Sequence, residues 1–387
     1  MVIGRFSKKK ITIKAYLEIK EDLKNKSKKQ SGSITELSLS KEEREIINTI
    51  KEQTKMFNLN NVTRTKAYYD FFIQYPEIHW ALLGHMVSRN GGWHMTDLKG
   101  DLFNRLLTEK EQRHFFLFLE RGNWLIFQDV YPQCLLYQQS LHVKKNLFYL
   151  LPYFGVSLFM ETIWNYFWEN GDCYLLAIAM VINEQSYLEK RVIQNPHFKK
   201  TVLNTIGFKL YDFLRFNHII FPFIKKGKSK KISLIGETLQ HFDSLHERIM
   251  LGKRLYSLLF QQEPVLQGVL LWADKHPHSG SRKDYWHHLF HHVNESLPGS
   301  IYKRRTKQCQ LKKSAHRIYS PPLQFAWENV EQQEAEQGDW FDDWRIIDYL
   351  MEEEIYKGGE IYDEYCKTIE KIELAIIAKK AIFLRQE

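Results

Sequence analysis

Nowhere in this 387-residue chain do apolar and polar residues alternate for four or more cycles, whereas apolar residues recur again and again at helical spacing. A half-buried strand requires alternation with a period of two, and an amphipathic helix requires apolar positions three and four apart. The pattern therefore predicts an all-α fold: a predominantly helical, irregular multi-helix globular body with no transmembrane helix. Helix starts are marked as well. Ser40 with Glu43, and Thr108 with Glu111, have capping-box spacing, in which a hydroxyl and a carboxylate each satisfy a backbone N–H. Behind the first box, Ile46, Ile47, Ile50, Met56 and Phe57 form a stripe that predicts a helix over 41–57.

The second box opens a long segment, 109–131, in which only "NWLIFQDV" has enough strand character to leave its type open; Pro132 then marks a fresh start or a kink. "TRTKAYYDFFIQYP" reads as a helix ending near Pro76, and "PEIHWALLGHMVSR" as the next one, with Pro76 at its first turn. Further helices are expected over 154–169, 173–191, 198–217, 237–260, 263–275, 282–296, 340–356 and 360–384. No fixed-period repeat is present, so a regular solenoid is excluded.

With 44% hydrophobic and 14% aromatic residues, the chain has ample apolar surface to outweigh the entropy of ordering it. The longest apolar runs, "YLLAIAMVI" and "NLFYLLPYFGVSLFM", fall short of the ~20 residues that cross a bilayer. The N-terminus begins with charge and never develops the apolar core of a secretory signal. Cys134, Cys173, Cys309 and Cys366 are far apart and form no C-x-x-C pair, which predicts reduced thiols and a cytoplasmic protein.

The net charge of +9 is unevenly distributed. Residues 1–39 hold ten Lys/Arg against four Asp/Glu, residues 300–317 hold seven Lys/Arg and no acid, and residues 328–354 hold eleven acids and only Arg345. The division that follows is a basic arm and flexible linker over 1–39, a helical core over 40–297, a basic connector over 298–327, and an acidic helical segment over 328–387. The basic blocks suit a phosphate backbone, which makes nucleic acid the alternative partner; equally, the acidic block can neutralise them. "KKGKSKK" (225–231) reads as an exposed loop.

Several segments combine cations with hydroxyls, amides or glycine at expected helix ends. In "HMVSRNGGWHMTDL" (85–98), Gly91 and Gly92 allow the backbone N–H groups to converge, Arg89 and Asn90 offer donors, and Asp97 follows Thr96; phosphate or carboxylate is the natural guest. The other reading is a plain helix corner, with Asn90 or Gly91 as the left-handed stop and Thr96 as the next cap. Ser281 and Arg282 in "PHSGSRKDYW", and Arg64 in "NVTRTKAYYD", repeat the combination, while Ser281 also serves as an ordinary cap. In "INEQSYLEKRVIQNP", Glu184 lies seven residues before Arg191, so the two share one helical side and are expected to pair; unpaired, Glu184 is the candidate acid/base. His79, His85 and His94 lack metal-ligand spacing. "WHHLFHH" (286–292) has i,i+4 histidines on an expected helix but not the glutamate of a zinc-protease motif, so no metal is assigned. No nucleophile motif is present, and no pattern names a cofactor.

The strings "NVTRTKAYYDFF", "PEIHWALLGHMVSRNGGWHMTDLKG", "FLERGNWLIFQDVYPQ", "INEQSYLEKRVIQNP" and "PHSGSRKDYW" are similar to the YppC-like family of uncharacterised proteins from Bacillus and related spore formers. The resemblance spans residues 55–295 and implies no activity, cofactor or catalytic residue. The expectation drawn from the residues is a polar, arginine-rich pocket for a small anionic ligand, with Arg64, His79, Arg89, Asn90, Asp97, Arg191, Ser281 and Arg282 around it and Glu184 as the acid/base if there is turnover. A non-enzymatic scaffold using the basic segments is the alternative, and whether the chain is an enzyme is left open.

Overall fold

The computed structural model describes residues 10–30, 39–213, 217–225, 232–239, 241–296, 302–353 and 359–383. Seven helices come first: α1 (Ile13–Gln30), α2 (Lys41–Phe57), α3 (Asn61–Gln74), α4 (His79–Asp97), α5 (Glu109–Val143), α6 (Leu158–Asn170) and α7 (Cys173–Leu188). Two π-helical turns, Glu189–Ile193 and Lys199–Leu203, flank the short α8 (Pro196–Phe198), and α9 (Ile206–Phe213) follows. A hairpin of β1 (His218–Ile224) and β2 (Ile232–Thr238) precedes α10 (Leu245–Phe260) and α11 (Glu263–Lys275). Beyond them lie the two-residue strands β3 (Phe290–His291), β4 (Thr306–Lys307), β5 (Gln310–Leu311) and β6 (Ile318–Tyr319), then α12 (Leu323–Ala326) and α13 (Tyr362–Phe383). The chain is predominantly α-helical, and no described helix is long and apolar enough to cross a membrane.

Local chemistry explains the clearest starts. Both limbs of the Ser40–Glu43 and Thr108–Glu111 capping boxes are formed, and Ser157, Asp172 and Ser244 cap α6, α7 and α10. The centre of the molecule is α4, packed against α3, α5, α7, α10 and β1. Helix α7 is buried without a break from Leu175 to Asn183, as its apolar run requires. Helix α1 lays Ile19 and Leu23 inward against α6.

The expected corner at Gly91–Gly92 does not exist, because α4 runs through both glycines. Gly92 serves close packing instead: a Cβ there would lie 2.3 Å from Asn61 Oδ1 and 2.5 Å from His278 Nε2, two atoms that meet each other at 2.8 Å. Thr96 is not a helix start, since its hydroxyl donates to the Trp93 and Gly280 carbonyls and the chain continues as a turn and a 3-10 turn rather than a helix. Pro132 neither ends nor restarts α5; packing against α2, α4 and α7 holds the helix through it, offsetting a cost of roughly 3 kcal/mol. "NWLIFQDV" is part of that helix.

Other differences have tertiary causes. The helix expected over 198–217 is broken into a π turn and α9, and the apolar run after it is a strand. β1 and β2 pair antiparallel from His218↔Thr238 to Ile224↔Ile232. Buried apolar runs of this length suit either state, and here α4 and α11 supply cover for a strand. Asn90 stands in for a further strand: its Nδ2 donates to the Ile220 carbonyl and its Oδ1 accepts from the Ile220 N–H, both at 2.9 Å. The expected helix 282–296 is a 3-10 turn, Arg282–Asp284, followed by β3 paired parallel with β6, so the i,i+4 histidine geometry of "WHHLFHH" is absent. Among the described residues of 340–356 a 3-10 turn, Trp344–Leu350, forms in place of a helix, and α10 begins at Leu245 rather than at 237. Lys225 is exposed, and the rest of "KKGKSKK" lies outside the described residues. Cys309 and Cys366, expected as separate thiols, form a disulfide, because the β4–β5 turn is seated on α13 with the two Cα atoms 5.2 Å apart.

Two glycines separate packing from propensity. Gly92→Ala is expected to lower unfolding free energy by about 1–3 kcal/mol through overpacking. Gly122→Ala, inside α5 with nothing within 4 Å of the added Cβ, is expected to raise it by about 0.5–1 kcal/mol. Urea unfolding of the two variants beside the parent chain checks both signs.

Candidate functional site

Helical faces of α3, α4, α5, α7 and α10 enclose a cavity of about 210 Å³, closed on one side by Ile219, Leu239 and Phe242. The spacing shows how it is built. Trp80, Leu83, Gly84, Val87 and Ser88 follow one face of α4, and Arg248, Leu251, Gly252 and Leu255 one face of α10, each at intervals of three and four. From α3 come Arg64 and Tyr68, one turn apart; from α5, Asn123 and Ile126; from α7, Glu184, Gln185 and Leu188. Most of the wall is apolar.

Glu184 is the titratable group that changes charge near neutrality in this wall. Its Oε2 accepts from Trp80 Nε1 at 3.2 Å and its Oε1 from Gln185 Nε2 at 2.9 Å. Loss of solvent pushes its pKa up to about 7, these two hydrogen bonds oppose the rise, and the charge of Asp129 adds to it. The cationic groups in the wall are already engaged. Arg64 pairs with Glu120 at 2.5 Å and donates to Asn58 Oδ1 at 3.2 Å; Arg248 pairs with Glu189 and donates to Gln185 Oε1 at 3.1 Å. Behind α7, Asp129 is also raised to about 7 by burial; Asn183 and Gln133 donate to its Oδ2.

The residues singled out in the sequence are scattered. Arg64 and Glu184 line the cavity, and the others do not. Glu184 and Arg191 do not pair: the π turn at 189–193 rotates Arg191 away, onto the Tyr187 ring and the Glu336 and Gly338 carbonyls. Arg89 is buried against the Trp272 ring, donates to His85 Nε2 at 3.1 Å and to the His276 carbonyl, and has its pKa lowered to about 10 by desolvation. His85 in turn meets the Thr65 carbonyl through Nδ1, which sets its neutral tautomer. His79 meets the Tyr256 hydroxyl at 2.8 Å and stacks on Phe260. Asp97 and Arg282 form a buried bidentate pair, with Arg282 Nη1 also reaching Tyr285 and Tyr365. Ser281 caps the 3-10 turn and donates to the Ser320 carbonyl. Asn90 is the strand clamp described above.

The basic connector is also internally committed. Arg304, Arg305 and Arg317 pair with Glu370, Asp101 and Glu295, while Glu373 accepts from the Arg305 and Thr306 N–H groups and from Tyr302. Lys303, Lys307, Lys312 and Lys313 remain exposed.

Across residues 56–362 the sequence matches the family described as a protein of unknown function, DUF2515. The chain belongs to this family. The DUF2515 match contains every cavity-lining residue, from Arg64 to Leu255. The chain is also similar to the uncharacterized protein YppC of Bacillus subtilis (strain 168), 47% identical over 241 residues, which is 62% of this chain and 73% of that protein. No solved structure matches.

Of the residues singled out in the sequence, Arg64 and Glu184 line this cavity, and Tyr68, Trp80, Gln185 and Arg248, which line it too, were not singled out. The available signal was a polar residue interrupting an apolar helical face, as Arg248 does in "ERIMLGKRLYSLLF".

The raised pKa of Glu184 sets a sign for stability. Between its unfolded value near 4.3 and about 7, the native state holds more protons than the unfolded chain, so the Glu184 contribution falls as pH rises and levels off above about 7. Glu184→Gln is therefore expected to become progressively more stable relative to the parent from pH 4.5 to pH 7, with no further change above. Denaturant midpoints of both proteins across this range check it; a constant difference would contradict it.

Proposed function

We propose that this protein binds a small, predominantly apolar molecule that carries one polar group, in the cavity between α3, α4, α5, α7 and α10. The observation that carries this reading is the cavity itself: about 210 Å³ of space walled by Leu83, Val87, Ile126, Leu188 and Leu255, with Glu184 in its lining. An apolar wall of this extent offers a ligand of matching shape many dispersion contacts.

The charges favour an apolar guest over the phosphate or carboxylate suggested by the arginines. Arg64 and Arg248 line the wall already paired with Glu120 and Glu189, so an anion entering would compete with a carboxylate at each. If the bound molecule is also turned over, Glu184 is the residue placed to give or take a proton, because its pKa is matched to neutral pH.

N-phenyl-1-naphthylamine, an uncharged dye that brightens in apolar surroundings, tests the cavity. It is expected to bind the parent chain saturably. Ile126→Trp, at the half-buried rim, should weaken binding at least tenfold while leaving the circular dichroism spectrum unchanged. Absence of saturable binding, or equal affinity in the variant, would overturn the proposal.

A further inference from the structure

The hydrogen-bonding capacity of the wall specifies the polar group of the ligand. Arg248 Nε donates to Gln185 Oε1, which fixes the orientation of that amide and turns its Nε2 donor toward Glu184. Trp80 can only donate, and it does so to the other oxygen. Both carboxyl oxygens thus face N–H groups, and the proton of the acid form has no acceptor among the described residues. Tyr68 on α3 lines the same cavity, is held in its neutral form by burial, and its hydroxyl has no hydrogen-bond partner among the described residues. The acid proton of Glu184 and the Tyr68 hydroxyl, on residues lining one apolar cavity, therefore lack acceptors among the described residues, as does the buried Nε of Arg64.

The geometry points to a head-group site formed by Glu184 and Tyr68 that takes an uncharged hydrogen-bond acceptor, the carbonyl oxygen of a ketone or ester attached to an apolar body. This rests on the cavity being a ligand site. A carbonyl oxygen has two lone pairs and no proton, so it satisfies both donors at once without introducing a charge. A carboxylate would bring a charge into a wall whose cations are already paired, and a hydrocarbon would leave both donors buried and unmatched.

The groups that act on Glu184 are Gln185 beside it on α7, the indole of Trp80 from α4, and the carboxyl of Asp129 from α5, with Tyr68 from α3 coupled to it across the cavity; Arg64 and Arg248 line the same cavity, each paired with its own carboxylate, Glu120 and Glu189. Burial keeps Tyr68 neutral, and Asp129, raised by burial to about 7 like Glu184, accepts from Asn183. Raising the pH therefore removes the donor at Glu184 first among the groups lining the cavity.

Displacement of N-phenyl-1-naphthylamine by three compounds of matched shape tests this: 2-acetonaphthone, 2-isopropylnaphthalene and 2-naphthoate. At pH 6 the ketone is expected to bind about three- to tenfold tighter than the hydrocarbon, the range of one or two net hydrogen bonds, with naphthoate weakest. By pH 8.5 that advantage should shrink, and in Tyr68→Phe it should be smaller at both pH values. Glu184→Gln should lose the pH dependence. Equal binding of ketone and hydrocarbon, tightest binding of naphthoate, or an unchanged pH profile in Glu184→Gln would overturn the head-group assignment while leaving the apolar cavity intact. Failure of the dye and all three compounds to bind would instead overturn the cavity reading.

Discussion

Helix α4 is buried on nearly every side, and so most of the polar groups it carries are matched within the protein, Nη1 of Arg89 being left without a hydrogen-bond partner among the described residues. An unpaired buried polar group costs about 1–3 kcal/mol, and a charged one more, which leaves little freedom in what may pack around the helix. Asn90 draws in the backbone of β1, His85 and Arg89 bind α3 and the segment after α11, and Asp97 recruits Arg282 and through it Tyr365 of α13. Much of the tertiary arrangement follows from these pairings. The hairpin, the 276–285 loop and the C-terminal helix are positioned where they complete the hydrogen bonds of one central helix.

The same constraint shapes the electrostatics. A chain with net charge +9 would be expected to present its arginines to a partner, yet Arg64, Arg248, Arg282, Arg304 and Arg305 are each turned onto a carboxylate of a distant segment. Such pairs resist removal of one member because the remaining charge would be buried alone. Glu184 differs from these carboxylates: its neighbours are an indole and an amide rather than a cation, so its charge depends on pH in the neutral range. A polar group of that kind, facing a hollow lined by leucine, valine and isoleucine, is what distinguishes the cavity from the surrounding core.

Legibility in the sequence followed the range of the interactions. The starts of α2 and α5 were readable because a capping box is complete within four residues, and α11 was readable at both ends because Pro264 and the apolar stripe lie within it. Family membership was readable from strings of ten or more residues. The Gly91–Gly92 pair misled, because glycine at a helix stop and glycine at a helix crossing look alike until the facing residues, Asn61 and His278, are known. The strand β1 was missed for a related reason: Ile219 to Ile224 forms a short apolar run without alternation, and its partner lies beyond a lysine-rich stretch. Among candidate site residues, Arg64 and Glu184 were recognised by type, but their neighbours Tyr68 and Trp80 read as ordinary core.

By itself the sequence determined the helical class, the family, the principal helix starts and the residues whose chemistry would demand partners, since propensity, capping and composition act over a few residues. Only the tertiary structure decided which partners those were. Arg282 found Asp97 across 185 positions and Arg64 found Glu120 across 56, while Arg191, seven residues from Glu184, was turned elsewhere by a π turn. Long-range pairing depends on how helices cross, and crossing is set by packing of whole faces rather than by local spacing. That packing left Glu184 without a cation at the edge of an apolar cavity.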